Sequence, residues 1–184
     1  MKLNELLAKK DVITSGFPAV KGLREFSMGE GEVFLSTLPA AALAAQGIIK
    51  YYAPILPRDV VFETPEDIIN ADIDVLYYEI EKLEPKEAVK SPTVIVTRHK
   101  GTEEHLLKKL SKQTAVLRDA VTAKDVTGRH VIGTLPPHLI SACAAYSAVS
   151  IKDFDYAAGD SDLTGAALEE RIVIHRPIRL IKQQ

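Results

Sequence analysis

A single cysteine, Cys143, rules out an internal disulfide and any multi-cysteine zinc site. Long apolar runs are missing as well, since none approaches the roughly 18 residues that cross a bilayer. The N-terminal segment MKLNELLAKK holds too short an apolar stretch for a secretory signal, so a cytoplasmic protein that does not enter membranes is expected. Neither sign of charge prevails, with 23 Lys and Arg against 25 Asp and Glu and a formal net charge of −2. Gly and Pro, at 10 each, are in ordinary usage and argue against a collagenous or disordered chain. The sequence has no Walker-type phosphate loop, HExxH motif or Asp/Glu cluster with metal-ligand spacing, so it requires no metal, and no cofactor is expected.

What is present describes a globular protein. The 184 residues are 46% hydrophobic and 26% charged. A chain of this length buries roughly 70% of its unfolded surface, enough for one core or two small ones. The charge is unevenly spread. Residues 1–92 carry 10 Lys and Arg against 15 Asp and Glu, a balance of −5, and no histidine. Residues 93–184 carry 13 against 10, a balance of +3, and all five histidines: His99, His105, His130, His138 and His175. Chemistry or anion binding is therefore expected in the second part.

Residues 81–92 are charged, hold two prolines and lack periodicity, which reads as a linker, placed at 85–92 between parts 1–84 and 93–184. Beyond it, the β-branched run 94–97 reads as a strand and 101–110 as a helix with early acids and late lysines. Short apolar runs at 115–117 and 131–132 suit strands buried on both faces. A helix is expected from Pro136 through Ala145, a strand at 148–151, a helix at 163–170 and a strand at 171–175. The first part repeats the plan: strands at 11–15, 33–35, 48–52 and 75–80, helices at 18–26, 40–46 and 65–71. The expected fold is α/β, with two tandem Rossmann-like units built on parallel sheets and packed as a pseudo-dimer.

The best local echo sets residues 34–39 (Phe-Leu-Ser-Thr-Leu-Pro) against 131–136 (Val-Ile-Gly-Thr-Leu-Pro), with Thr37 or Thr134 as possible helix caps. In this register His138 stands opposite Ala41, and matching the first strand of each part sets Thr97-Arg98-His99 opposite Ser15-Gly16-Phe17. Hydroxyls and turns recur in both parts, whereas the Arg and the two His occur only in the second. Ligands bind beyond the C-terminal ends of parallel strands, where both segments fall. Arg98 supplies a planar fork for phosphate oxygens, Lys100 a point charge, and His99 or His138 a proton acceptor or donor near neutral pH. Thr97, Gly101, Gly133, Thr134 and Pro136 complete the candidate ligand site, with helix-start amides after Gly101 and Pro136 as anion donors.

Plainer roles fit other residues. His138 can simply bond a neighbouring backbone group. His105 reads as a solvated helix residue, His130 and His175 as edge or surface positions, and Cys143 as a small core hydrophobe. Tyr51, Tyr52, Tyr77 and Tyr78 read as core or interface fillers, and the acidic run 153–162 as a solvated loop.

Through Thr97-Arg98-His99 and Gly133-Thr134-Leu135-Pro136-Pro137-His138-Leu139, residues 93–176 resemble a small CRISPR-associated accessory family, Csx-sixteen. The segment Leu163-Thr164-Gly-Ala-Ala-Leu168-Glu-Glu170 matches the family's ending loosely, and the first part looks like a diverged copy lacking the Arg and His. Lys100 replaces the usual Pro, and the acidic loop is shorter. The resemblance implies a place beside type III CRISPR antiviral systems. There, ring nucleases open cyclic oligoadenylate messengers held in a symmetric cleft of a Rossmann-like dimer.

The expected function is thus metal-independent binding and cleavage of a cyclic oligoadenylate, chiefly the tetra-adenylate, by attack of a ribose 2′-hydroxyl. Arg98 would hold the scissile phosphate, and His99 or His138 would move protons. The expected partners are that ring and a second copy of the chain, not duplex nucleic acid. The alternatives are a binding module that captures or senses the messenger without cutting it, and a protein-interaction scaffold using the acidic part.

Overall fold

A computed structural model of the chain describes residues 1–57, 60–118, 121–153 and 163–183. They fall into two compact units, Met1–Ile80 with Ile181–Gln184, and Glu81–Leu180. The architecture is mixed α/β with mainly parallel strands flanked by helices, the Rossmann-like class that alternating strands and helices predict. Among the described residues no helix is long and apolar enough to cross a membrane.

The first unit runs α1 (Leu3–Lys9), β1 (Asp11–Ser15), α2 (Pro18–Gly22) continued by a 3-10 turn (Leu23–Phe26), β2 (Glu32–Ser36), α3 (Ala40–Ala45), β3 (Lys50–Pro54), α4 (Pro65–Ala71) and β4 (Val75–Lys82). Helix α1 forms because Leu3, Leu6 and Leu7 share one helical face, and all three are buried against Val12, Val20, Leu35 and Ile68. Thr64 and Asp67 close a capping box on α4. Strands β1, β2 and β3 pair in parallel, and β4 lies antiparallel to β3, with Tyr52 and Tyr77 stacked at a ring separation of 4.7 Å. Tyr51 and Tyr78 are buried on the opposite side, as core fillers. The chain returns to this unit at its end, where Gln183 N–H donates to the Tyr77 carbonyl at 2.9 Å and its side-chain amide to Glu79 at 3.0 Å.

The second unit runs α5 (Pro85–Ala88), β5 (Thr93–Val96), α6 (Lys100–Lys109), β6 (Ala115–Leu117), α7 (Ala123–Val126), β7 (His130–Gly133), α8 (Pro137–Ile140), β8 (Ala145–Ile151), α9 (Gly165–Arg171), β9 (Ile172–Ile174) and β10 (Ile178–Lys182), the last as far as Leu180. Strands β6, β5, β7 and β8 stand side by side in parallel. Side chains alternate across the sheet. Ile95 and Ile132 thus pack with Leu106 of α6 on one face, while Val94, Val131 and Tyr146 point to the other.

Three expectations are corrected. The sheets are not wholly parallel: β4 opposes β3, and β8 pairs antiparallel with β10 at Tyr146 and with β9 over Val149–Ile151. The helix after Pro136 stops at Ile140, because the small residues that follow enter β8 at Ala145. Neither Thr37 nor Thr134 caps a helix; Pro39 and Pro136 hold the cap positions without a side-chain bond. The acidic run beyond Asp153 lies outside the described residues.

Two histidines are also relocated. His105 is buried, not solvated, since α9 covers its face of α6, and the Glu169 carboxylate stands 4.0 Å from Nδ1. His130 is buried in a central strand, not at an edge, with Nε2 3.0 Å from Ser147 Oγ. Burial pushes its pKa below the usual 6.5. The unfolded chain therefore binds a proton that the folded one resists. Stability is complete above about pH 6.5 and declines as pH falls towards the lowered folded value. Denaturant titrations between pH 7.5 and 5 are expected to show this decline, with up to about 1.4 kcal/mol per pH unit from His130. His130→Gln flattens the slope by that share.

Candidate functional site

The adjacent parallel strands β5 and β7 end on the same rung, Val96 beside Gly133. From there each chain turns into a helix. After β5, Thr97 is buried and its Oγ1 accepts the His99 N–H at 3.1 Å, which tightens the turn and leaves Arg98 exposed at its tip. His99 is the N-cap of α6 and Lys100 its first residue, both exposed; Lys100 Nζ stands 4.0 Å from Glu104. Gly101 is buried: a Cβ there would overlap the Leu163 carbonyl oxygen and press on Thr164 and Leu168.

The turn after β7 is built on Gly133. Its φ of +145° disfavours any other residue, and a Cβ would overlap the Val96 backbone carbonyl. This approach lets Thr134 N–H donate to Val96 C=O at 3.2 Å, joining the two turns through their backbones. Tyr146 locks the second turn from below. Its hydroxyl donates to the Gly133 carbonyl at 2.8 Å and accepts Leu135 N–H at 3.3 Å, and burial pushes its pKa up to about 12. Thr134 is exposed, Pro136 half-buried, and His138 exposed on α8, where its carbonyl accepts the Ser141 hydroxyl at 3.0 Å.

The first unit makes the same joint with different residues. Ser15 and Ser36 share a rung, and Thr37 N–H donates to Ser15 C=O at 3.1 Å. The glycine sits on the other strand: Gly16, with φ +132°, avoids the Thr37 side chain. Equating these rungs places Ser15 opposite Val96, one step from the register in which Ser15 meets Thr97. The turn from β1 to α2 holds Gly16 and the N-cap Phe17, whereas that from β5 to α6 holds Thr97, Arg98 and the N-cap His99. The second turn is one residue longer.

Three groups on this edge escaped the sequence reading. Arg118, just after β6, grips Glu103 of α6 through two bonds of 2.6 and 2.7 Å and holds its carboxyl below the usual range. Its place after a strand, like that of Arg98, was the available signal. Tyr146 received no reading from sequence, because its hydroxyl partners lie 11 and 13 residues away. His175, expected at an edge or surface, is half-buried just beyond β9, with Nε2 2.8 Å from Ser150 Oγ of β8.

The structure therefore brings the Thr97–Gly101 and Gly133–His138 segments to one sheet edge, with Arg98, His99, Lys100, Thr134 and His138 accessible. His105 and His130 lie away from it in the interior. Cys143 is buried, bonded to the Leu139 carbonyl at 3.4 Å, with its thiol pushed up to about 12, as suits a core residue. Among the described residues no group of three or more His, Cys, Asp or Glu gathers to hold a metal ion.

Residues 94–174, from β5 through β9, match the model of a family described as "Putative CRISPR-associated protein (Cas_VVA1548)". That segment contains both turns and supports a CRISPR-associated protein. No curated protein and no solved structure matches the chain.

Removing the Tyr146 hydroxyl tests the joint. Tyr146→Phe leaves buried Leu135 N–H and Gly133 C=O without that partner, at a cost of about 1–3 kcal/mol. Gly133→Ala forces both a strained φ and a backbone overlap and is expected to cost more. Urea unfolding of the two variants beside the natural protein measures the order.

Proposed function

We propose that the second unit binds a cyclic oligoadenylate, foremost the tetra-adenylate, and opens it without a metal, acting as a ring nuclease of a type III CRISPR system. The observation that carries this reading is the backbone joint at Thr134 and Val96, which sets Arg98, His99 and Lys100 beside the turn leading to His138. The match over residues 94–174 supports the CRISPR setting, and the resemblance to Csx-sixteen supports the substrate class.

A polyanionic ring needs positive charge and oriented donors along one accessible edge. Arg98 offers its fork to the scissile phosphate and offsets charge that develops as the ribose 2′-hydroxyl attacks. Lys100 and the amides of the 10-residue α6 extend the anionic subsite. His99 or His138 assists proton transfer to the leaving oxygen. The products are a 2′,3′-cyclic phosphate and a 5′-hydroxyl. A second copy of the chain, presenting the same edge, would complete a symmetric cradle.

Incubation with labelled cyclic tri-, tetra- and hexa-adenylate in the presence of a chelator tests the reading. Linear products are expected from the natural protein. Arg98→Ala is expected to lower the rate by roughly a hundredfold and His138→Ala by a similar or smaller factor. A stable complex with no linear product makes the protein a messenger-binding module instead. Absence of both binding and cleavage overturns the proposal, and salt-sensitive capture of a basic protein untouched by Arg98→Ala would then point to an interaction scaffold.

A further inference from the structure

We infer that Ser150 and His175 form a proton relay at the far side of the same edge, accepting the proton of the attacking ribose hydroxyl; this rests on the ring-cleavage reading above. Strand register puts the pair there. Val96, Gly133 and Ala148 lie on one rung across β5, β7 and β8. His175 N–H donates to the Ala148 carbonyl at 2.9 Å, which extends that rung to the end of β9. Ser150 stands two residues past the rung, as Arg98 stands two residues past it on β5. From β5 to β8 is two strand spacings, about 10 Å, within the span of a bound oligonucleotide.

The face agrees as well. Side chains two apart on a strand share a face, so Ser150 projects on the side of Ala148 and Tyr146. Tyr146 is the residue that secures the Gly133–Leu135 turn leading to His138. Beyond Ser150 the strand end is held by Arg171, whose guanidinium binds the Lys152 and Asp153 carbonyls. The serine is therefore at the end of a strand pinned on its outer side by β9, not on a loose loop.

The chemistry fits a relay. Partial burial lowers the His175 pKa, so its ring is neutral at pH 7. In the tautomer protonated on Nδ1, the Ser150 hydroxyl donates to Nε2 and turns its oxygen lone pairs outward. As the ribose 2′-oxygen bonds to phosphorus, its O–H bond breaks and the proton passes to Ser150 Oγ. The serine's own proton moves to His175 Nε2. The P–O5′ bond breaks, the departing oxygen takes a proton by way of His99 or His138, which regains one from solvent, and the His175 imidazolium gives its extra proton up to solvent.

Single-turnover cleavage rates and ring affinity, measured separately with cyclic tetra-adenylate, test the inference. Ser150→Ala and His175→Gln are expected to slow cleavage by roughly a hundredfold while affinity changes by about threefold or less. His175→Gln still accepts or donates one hydrogen bond but takes up no proton, and Ser150→Thr is expected to keep activity within about threefold. Rates within about twofold of the natural protein in both slow variants, with unchanged melting, overturn the relay and leave the ring-nuclease reading standing. A natural protein that binds rings without cutting overturns the relay together with the nuclease reading and leaves a messenger-binding module. One that neither binds nor cuts overturns both.

Discussion

The hydrogen bond from Thr134 N–H to the Val96 carbonyl exists only because residue 133 has no side chain. At φ +145° the backbone of Gly133 passes against that carbonyl closely enough to exclude even a methyl group. Two strand ends are thereby locked edge to edge, and the polar turns that grow from them share one platform. Tyr146 reinforces the lock from the next strand by satisfying both a donor and an acceptor of the turn. The groups with chemical potential are mostly exposed, whereas the groups that place them are buried and bonded.

The first unit shows what the position of the glycine decides. There the same bond forms between Thr37 and Ser15, but the residue without a side chain is Gly16, on the β1 turn. That turn is short, and it enters α2 through Phe17 and Pro18. In the second unit the glycine lies on the β7 turn, so the β5 turn carries side chains at every position: Thr97 inward, Arg98 outward, His99 at the cap. Moving the bare residue to the neighbouring strand thus leaves room for a guanidinium and an imidazole. Arg118 adds a paired charge on the next strand, steadying the first turn of α6 through Glu103.

Much of this was readable from the residues. β-branched runs between polar or Gly-rich flanks marked β1, β5, β6 and β7 closely, and Pro65 with its acids marked α4 to the residue. The candidate turns stood out because Arg and His follow apolar runs there. Strand direction did not show, since an apolar run reads alike in either sense, hence the antiparallel setting of β4 and β9 went unforeseen; β10, where basic residues interrupt the apolar ones, was not read as a strand at all. Histidine burial was equally silent. His105 depends on α9 packing across α6, and His130 on a serine in the adjoining strand. The Ser150–His175 contact joins residues 25 apart, so no local pattern announces it.

Chain connectivity adds a temporal consequence. Unit 1 is left at Ile80 and rejoined at Ile181, with all of unit 2 between, and Gln183 is what bonds back to Tyr77 and Glu79. Unit 2 is therefore an insertion. On the ribosome it emerges whole before the residues that finish its host, so the histidine-bearing unit has every residue needed to fold while the acidic one still awaits its last segment.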